Sequence, residues 1–388
     1  MKKVGILNVQ HADNYGAVLL AYALQTEIEY LGYNAESIDF RPTGVHHSFI
    51  HKSFEILKQD GCFQLFRQLQ KKILYHHKTD AKVLNARKKA FSDFRERYLN
   101  RSKVYHNVTD DRPLEYDIYV VGSDVIWKPA RVISKTESDA YFLNFTEGLP
   151  CKRIAYAASI GTDDNDVLRP LQDKIKNMIR KFDSISLREK TSVPFIRSLY
   201  EKNVTWCIDP TMFFNADFYN KLSLESKHST SLIADNYIYL YVLGDNKQAY
   251  LMANRLSHIW NIPVICDAPS PQLVDNVALN VQIDGPLEFL NRIKKAKVVI
   301  TDSFHGTVFS IIFHKDFYTF SRGKISIRMQ NLLERLRLIN RYVNSEKQAT
   351  QQFMPVEYGN VDYIINNWKE ESIIFLKDAL FTSKIKEL

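Results

Sequence analysis

In the stretch TDSFHGTVFSIIF, residues 301 to 313, an apolar run is broken by Asp302, Ser303, His305 and Gly306 and then resumes. An imidazole titrates near neutral pH and can give or take a proton; a hydroxyl can donate to an anion; a glycine lets backbone NH groups come close to one. Similar mixtures occur in ADNYGA (Asp13, Asn14, Tyr15, Gly16), GSDVIW (Gly122, Ser123, Asp124, Trp127) and SLREK (Arg188, Glu189). A guanidinium such as that of Arg188 can make two parallel hydrogen bonds to one carboxylate or phosphate. Each cluster also has a structural explanation. Asp, Asn and Ser ahead of a helix cap it whatever the protein does, and Arg188 beside Glu189 can be a surface ion pair of little worth.

Their shared position is what sets these clusters apart. Each follows a strand-like run, so the chain must be read for the elements that carry them. KKVGILNV reads as a strand, AVLLAYALQTEIEYL as a helix ending at Gly32, and NAESIDF as a second strand, which together make a βαβ unit. Further strands are expected at YDIYVVGSD, RIAYAAS, SISLR, YIYLYVL, IPVICD and AKVVITDS, most of them followed by helical patterns. Nearly continuous apolar strands alternating with helices predict parallel sheets covered on both faces. Open sheets of this kind bind ligands at their carboxyl edges, where helix N-termini present unpaired NH groups.

At 388 residues the chain is too long for one core, and two domains are expected. Residues 1–204 form the first, with a helical insertion at about 44–112; residues 205–350 form the second; 351–388 form a segment and helix that return to the first. The insertion holds 15 basic and 7 acidic residues, which accounts for the whole net charge of +8. Within it CFQLFRQLQKKIL puts Phe63, Phe66, Leu69, Ile73 and Leu74 near one helix face, and the tail NVDYIINNWKEESIIFLKDAL is likewise amphipathic. The cysteines, Cys62, Cys151, Cys207 and Cys266, have no paired spacing and are read as reduced thiols. No run approaches the ~18 apolar residues of a membrane span, and the polar start argues against a secretory signal, so a cytoplasmic protein is expected.

GxGxxG after the first strand, GxxxxGK[ST], HExxH and carboxylate-rich metal loops are all missing from the sequence. Nicotinamide enzymes, P-loop ATPases and metal sites are therefore poor fits, and no cofactor is expected. Anion binding by helix ends, Arg and His remains, a combination suited to a phosphorylated small molecule.

The order and spacing of NVQHADNYGAVLLAYALQ, YDIYVVGSDVIW, RIAYAASIG, SISLREK, IDPTMF and VVITDSFHGTVFSIIF resemble the polysaccharide pyruvyl transferase family over most of the chain. That resemblance implies two Rossmann-like domains facing across a cleft (GT-B-like), and transfer of pyruvate from phosphoenolpyruvate to a hexose as a cyclic ketal. It implies that Arg188 binds the donor and that His305, at the position of the family's motif His, protonates the enol methylene or stabilises the departing phosphate. Several relatives carry a basic residue two positions before that His, where this chain has Ser303. The donor site is then expected from Ser303, Phe304, Gly306 and Thr307, with Arg322, Lys324 or Arg328 supplying charge and a helix starting near Thr307 turning its positive end inward. Asp13, Asn14, Tyr15 and Asp124 are nominated for the acceptor hydroxyls, Trp127 or Tyr156 for stacking on the sugar, and Asp124 alternatively as the base.

Two other functions fit the same residues. A glycosyltransferase using a nucleotide-sugar would share the architecture and the phosphate binding at helix ends. The basic insertion could instead contact an anionic membrane surface, where a lipid-linked acceptor would reside. No readable motif points to nucleic acid.

Overall fold

The computed structural model describes residues 1–42, 81–113, 115–226, 235–321, 327–345, 348 and 354–381. They form two parallel sheets. The first comprises β1 (Lys3–Leu7), β2 (Asn34–Phe40), β3 (Arg101–Tyr105), β4 (Ile118–Asp124), β5 (Lys152–Ala158), β6 (Ser184–Leu187) and β7 (Val204–Trp206), in the order 3-2-1-4-5-6-7. The second comprises β8 (Ile238–Tyr241), β9 (Val264–Asp267), β10 (Val277–Asn280), β11 (Val298–Thr301), β12 (Asp316–Phe320) and β13 (Tyr342–Val343), in the order 10-9-8-11-12-13. Central strands such as β5 and β8 are buried along their whole length, as a parallel sheet covered on both faces demands. The strand order reverses between β1 and β4 and again between β8 and β11, where the following loops diverge and leave a crevice.

Six helices position the site: α1 (Tyr15–Tyr30), α2 (Ala81–Tyr98), α3 (Pro286–Lys295), α4 (Phe304–Ile312), α5 (Ile327–Arg335) and α6 (Tyr358–Phe381). The side chain of Asn14 caps α1 by accepting from the Ala17 NH at 3.1 Å, and Gly32, at φ +88°, ends it in the left-handed conformation that glycine adopts without strain. Between these stops α1 is apolar nearly all round, so it must lie inside the molecule. It packs between the first sheet and helices α3 and α4 of the second unit. The Tyr15 ring is stacked between Phe91 of α2 and Phe289 of α3, with centroids 5.3 and 4.4 Å away, and one apolar core runs across both units.

The C-terminal helix returns to the first unit, as expected for this architecture. Lys152 Nζ donates to the carbonyl of Ala379 at 2.7 Å, the Trp368 indole NH donates to the Trp206 carbonyl at 3.1 Å, and the Ile208 NH donates to Ser372 Oγ at 2.9 Å. The insertion is not wholly helical. Its last part, RSKVY, joins the first sheet as edge strand β3, partly exposed and polar, so backbone pairing with β2 and not an apolar run makes it a strand. The helix expected at CFQLFRQLQKKIL lies outside the described residues. Cys151, Cys207 and Cys266 are buried. Among the described residues no helix is long and apolar enough to cross a membrane.

Candidate active site

Residues from the carboxyl edges of both sheets meet between the two units. The first unit supplies Asp124 from the end of β4, Arg188 and Glu189 just past β6, and Asp209 just past β7. The second supplies Phe304 and His305 from the first turn of α4, and Arg328 from the first turn of α5.

Arg188 organises the cluster. Its Nη1 donates to Asp209 Oδ2 at 2.7 Å, its Nη2 reaches Asp124 Oδ1 at 3.4 Å, and its guanidinium carbon lies 4.7 Å from the centre of the Phe304 ring. Arg328 approaches the same two groups, with Nη1 at 3.7 Å from Asp124 Oδ1 and its guanidinium 5.6 Å from the Phe304 centroid. One carboxylate oxygen of Asp124 thus sits between two guanidiniums that share an aromatic platform. Asp124 holds a left-handed backbone conformation, φ +80°, which is uncommon for a non-glycine residue.

The electrostatics follow from burial and pairing. Burial alone would raise the Asp124 carboxyl, but the charges of Arg188, Arg328 and His305 outweigh it and hold the group at about 2. Asp209 is likewise driven below the usual carboxylate range, with His305 and then Arg188 overcoming its burial. Burial and the neighbouring charge of Arg188 push Arg328 down to about 10. Glu189, fully buried with Ser159 Oγ donating to Oε1, is raised by burial. Nε of Arg188, Nε of Arg328 and Nε2 of His305 are buried without a hydrogen-bond partner among the described residues. Buried polar atoms left in that state are costly, and here they belong to two guanidiniums and an imidazole gathered at one edge of the cleft. The arrangement is suited to gripping a small anion and to moving a proton beside it.

His305 is buried, with Nε2 3.6 Å from Asp209 Oδ2. Its other nitrogen, Nδ1, lies against α1 at Gly16, where a Cβ would stand 1.9 Å from it. Helix α4 begins at Phe304 and not near Thr307. Ser303 is its cap, with Oγ accepting from the Gly306 NH at 3.3 Å, and Thr307 Oγ1 donates to the Ser303 carbonyl at 3.2 Å. The space that a Gly306 side chain would need is taken by Thr301, whose Oγ1 would lie 2.4 Å from the added Cβ.

The structure therefore brings together His305, Asp124, Arg188, Phe304 and Arg328, whereas Arg322 and Lys324 lie outside the described residues. Other nominated residues are elsewhere. Tyr15 is fully buried, its hydroxyl bonded to Asp267 Oδ2 at 3.1 Å, the Asp284 carbonyl at 3.0 Å and Arg87 at 2.8 Å. Trp127 is packed on Phe142 with its indole NH donating to the Tyr141 carbonyl, and Tyr156 is core, so neither has a free face for a sugar. Asn14 is occupied as the α1 cap. Asp13 pairs with Arg95 at 2.9 Å and borders an open polar cleft of about 580 Å³ that His11, Lys88 and Ser92 also line.

Asp209 was not singled out by sequence reasoning, which put residues from 205 onward in the second domain, whereas β7, and with it Asp209, belongs to the first sheet. The available signal was an Asp directly after the strand-length run VTWCI, the same topological place as the other clusters.

The comparisons with known proteins agree with this architecture. No curated protein matches significantly. The structure of UDP-GlcNAc 2-epimerase from Methanocaldococcus jannaschii is similar, with a TM-score of 0.51 at 12% identity, covering 95% of this chain and 100% of that one. UDP-GlcNAc 2-epimerase from Neisseria meningitidis, bound to UDP-GlcNAc, is similar with a TM-score of 0.50 at 12% identity, covering 98% and 94%. At such identity the likeness is one of fold, the two-Rossmann GT-B arrangement. The family model described as polysaccharide pyruvyl transferase matches residues 14–324, a span that takes in Gly16, Asp124, Arg188, Asp209 and His305 and stops just short of Arg328, and the chain accordingly belongs to the polysaccharide pyruvyl transferase family.

Proposed function

We propose that the protein transfers pyruvate from phosphoenolpyruvate to a hexose, of the galactose type, as a cyclic ketal in the making of a surface polysaccharide or exopolysaccharide. The observation that carries this reading is the convergence of Arg188 and Arg328 on one oxygen of Asp124, with His305 beside the neighbouring carboxylate of Asp209 and buried side-chain nitrogens that lack partners among the described residues. Phosphoenolpyruvate brings a phosphate of about −1.5 to −2 charges and a carboxylate, and needs concentrated cations of this kind. One of its anionic groups takes the place that Asp124 Oδ1 holds between the guanidiniums. Arg328 then fills the role that a basic residue at position 303 would have had.

In the reaction one sugar hydroxyl adds to C2 of the enol while C3 gains a proton from His305. Phosphate departs with its bonding pair, and a second hydroxyl closes the ketal. Of the two hydroxyl protons, one replaces that given by His305 and the other leaves with phosphate or to water. Asp124, once displaced from the guanidiniums, is the carboxylate available to accept a hydroxyl proton. Asp13, facing the polar cleft, is proposed to contact the acceptor, lipid-linked or free.

Incubation with phosphoenolpyruvate and a panel of galactosides and other hexosides should release phosphate and yield a ketal, and His305→Ala should abolish this while leaving the fold intact. A folded protein that releases no phosphate across a broad panel would defeat the reading. The alternative of a nucleotide-sugar glycosyltransferase draws on the fold shared with an epimerase bound to UDP-GlcNAc. Thermal stabilisation by uridine nucleotides but not by phosphoenolpyruvate would favour it.

A further inference from the structure

His305 belongs to the second unit, yet its ring is held against residues of the first. Nε2 lies 3.6 Å from Asp209 Oδ2, and the ring at Nδ1 and Cγ rests on Gly16, where only the lack of a side chain leaves the imidazole its place. Asp209 is itself fixed. Its Oδ1 accepts from the Thr211 NH at 3.1 Å and from Thr211 Oγ1 at 2.7 Å, and its Oδ2 accepts from Arg188 at 2.7 Å. With a side-chain exposure of 1%, this carboxylate has no room to reorient. Gly16 lies in the first turn of α1, whose buried packing against α3 and α4 fixes it just as firmly. The other charges of the cluster are Asp124, Arg188 and Arg328; Arg188 donates to Asp209 Oδ2, and both guanidiniums lie at Asp124 Oδ1.

We propose that the orientation and tautomer of His305 are set across the cleft by Asp209, which holds the proton of the neutral ring on Nε2, and by Gly16, which admits the ring edge carrying Nδ1. Both are positioning residues, acting through His305. The proposal rests on the reading that His305 does the proton chemistry, and it adds what makes that chemistry depend on the two units being apposed. A carboxylate that orients a catalytic imidazole can be worth several orders of magnitude in rate when its replacement by a carboxamide favours the wrong tautomer. In Asp209→Asn, an oxygen kept at the Oδ1 position by Thr211 puts the NH₂ where Oδ2 had accepted from Arg188, so that bond is lost and the ring no longer has a carboxylate to hold its proton on Nε2.

The test compares Gly16→Ala and Asp209→Asn with the unaltered protein in three measurements: donor affinity by calorimetry with phosphoenolpyruvate, turnover by phosphate release, and the tautomer of His305 by long-range proton–nitrogen NMR of the histidine-labelled protein, with the signal assigned by its loss in His305→Ala. For Gly16→Ala, turnover is expected to fall by about 100-fold while donor affinity stays within about threefold, because the added methyl displaces the imidazole and touches no guanidinium. For Asp209→Asn, turnover is expected to fall at least as far, with a smaller loss of affinity through Arg188. The neutral ring is expected to carry its proton on Nε2 in the unaltered protein and on Nδ1 in Asp209→Asn. Turnover within threefold of the original in folded Gly16→Ala, or affinity lost in step with turnover, overturns the proposal. So does an Nδ1 proton in the unaltered protein. The NMR measurement needs no substrate, so it judges the positioning role even if phosphoenolpyruvate proves not to be the donor.

Discussion

Replacing Asp124 by Asn should make the protein bind its donor more tightly and turn it over more slowly. Oδ1 of Asp124 lies 3.4 Å from one guanidinium and 3.7 Å from the other. At an effective dielectric of about 20, each such pair attracts by about 4 kcal/mol before burial is charged against it. The net value is smaller: burial opposes ionisation while Arg188, Arg328, His305 and the Val125 NH favour it, and on balance the group falls from 3.8 to about 2. At ~1.4 kcal/mol per pK unit this is roughly 2.5 kcal/mol. A donor anion that takes the place of Asp124 forgoes that attraction when it binds. Removing the charge should therefore raise affinity by about 10-fold, with a ceiling of roughly 60-fold. Calorimetric titration with phosphoenolpyruvate and, separately, inorganic phosphate measures it. In the same variant, phosphate release should drop by ~100-fold or more if Asp124 takes the hydroxyl proton. The variant alone should also be less stable by about 2 kcal/mol, because two buried guanidiniums lose their shared partner, and added phosphate should restore much of this. Weaker or unchanged anion binding in a folded Asp124→Asn protein would refute the reasoning, since Asp124 would then be a ligand-side partner or a bystander.

Three further outcomes are expected. Arg328→Ala should weaken phosphoenolpyruvate binding by about 10- to 100-fold, and Arg328→Lys should recover only part, because a point charge cannot reproduce the planar fork above Phe304. Asp267 is raised to about 6, chiefly by burial, with Arg87 opposing and Asp284 adding to the rise. Its folded pKa lies above its unfolded value, so between about pH 4 and 6 the native state binds the extra proton and stability falls as pH rises. Asp267→Asn should therefore be more stable than the original by about 1–3 kcal/mol at pH 8 and gain nothing at pH 4, as read from denaturant melts at both pH values. Trp368 is buried against Trp206 with the Arg335 guanidinium 4.2 Å from its ring centre, so Trp368→Ala should cost about 3–5 kcal/mol in the same melts.

Most of the fold was legible because the long apolar strands and α1 carry their own signal. β1, β2, β4, β5, β6, β8, β9 and β11 all fall where apolar or alternating runs predict them. β3, β7, β10, β12 and β13 did not announce themselves. They are short or partly polar, and what makes them strands is a neighbour offering its backbone, which no local window contains. The site was legible in the same uneven way. His305, Arg188 and Asp124 follow strong strands and were read from that place alone. Tyr15 and Trp127 look the same in the sequence, yet both are core, because an aromatic beside a polar turn packs wherever a stacked partner covers it. Glu189 reads as the surface half of an ion pair with Arg188 but is fully buried on Ser159. Asp209 stayed hidden because its partners, Arg188 and His305, come from 21 residues before it and from another sheet.

The two carboxylates of the cluster differ in a way that decides which can yield to a substrate. Asp209 has both oxygens committed, to Thr211 and to Arg188, and almost no exposure, so its charge is a fixed part of the scaffold. Asp124 has a side-chain exposure of 23%, holds both guanidiniums through a single oxygen, and does so at longer distances. With Asp209 fixed and Asp124 in place, each of the two arginines has a carboxylate beside it. An anion that displaced Asp124 would meet the same two guanidiniums, beside the imidazole that faces Asp209. Under the proposed function, exchange of this carboxylate for the donor's anionic group would make the site selective for anionic donors and would free Asp124 for the acceptor only once the donor is in place.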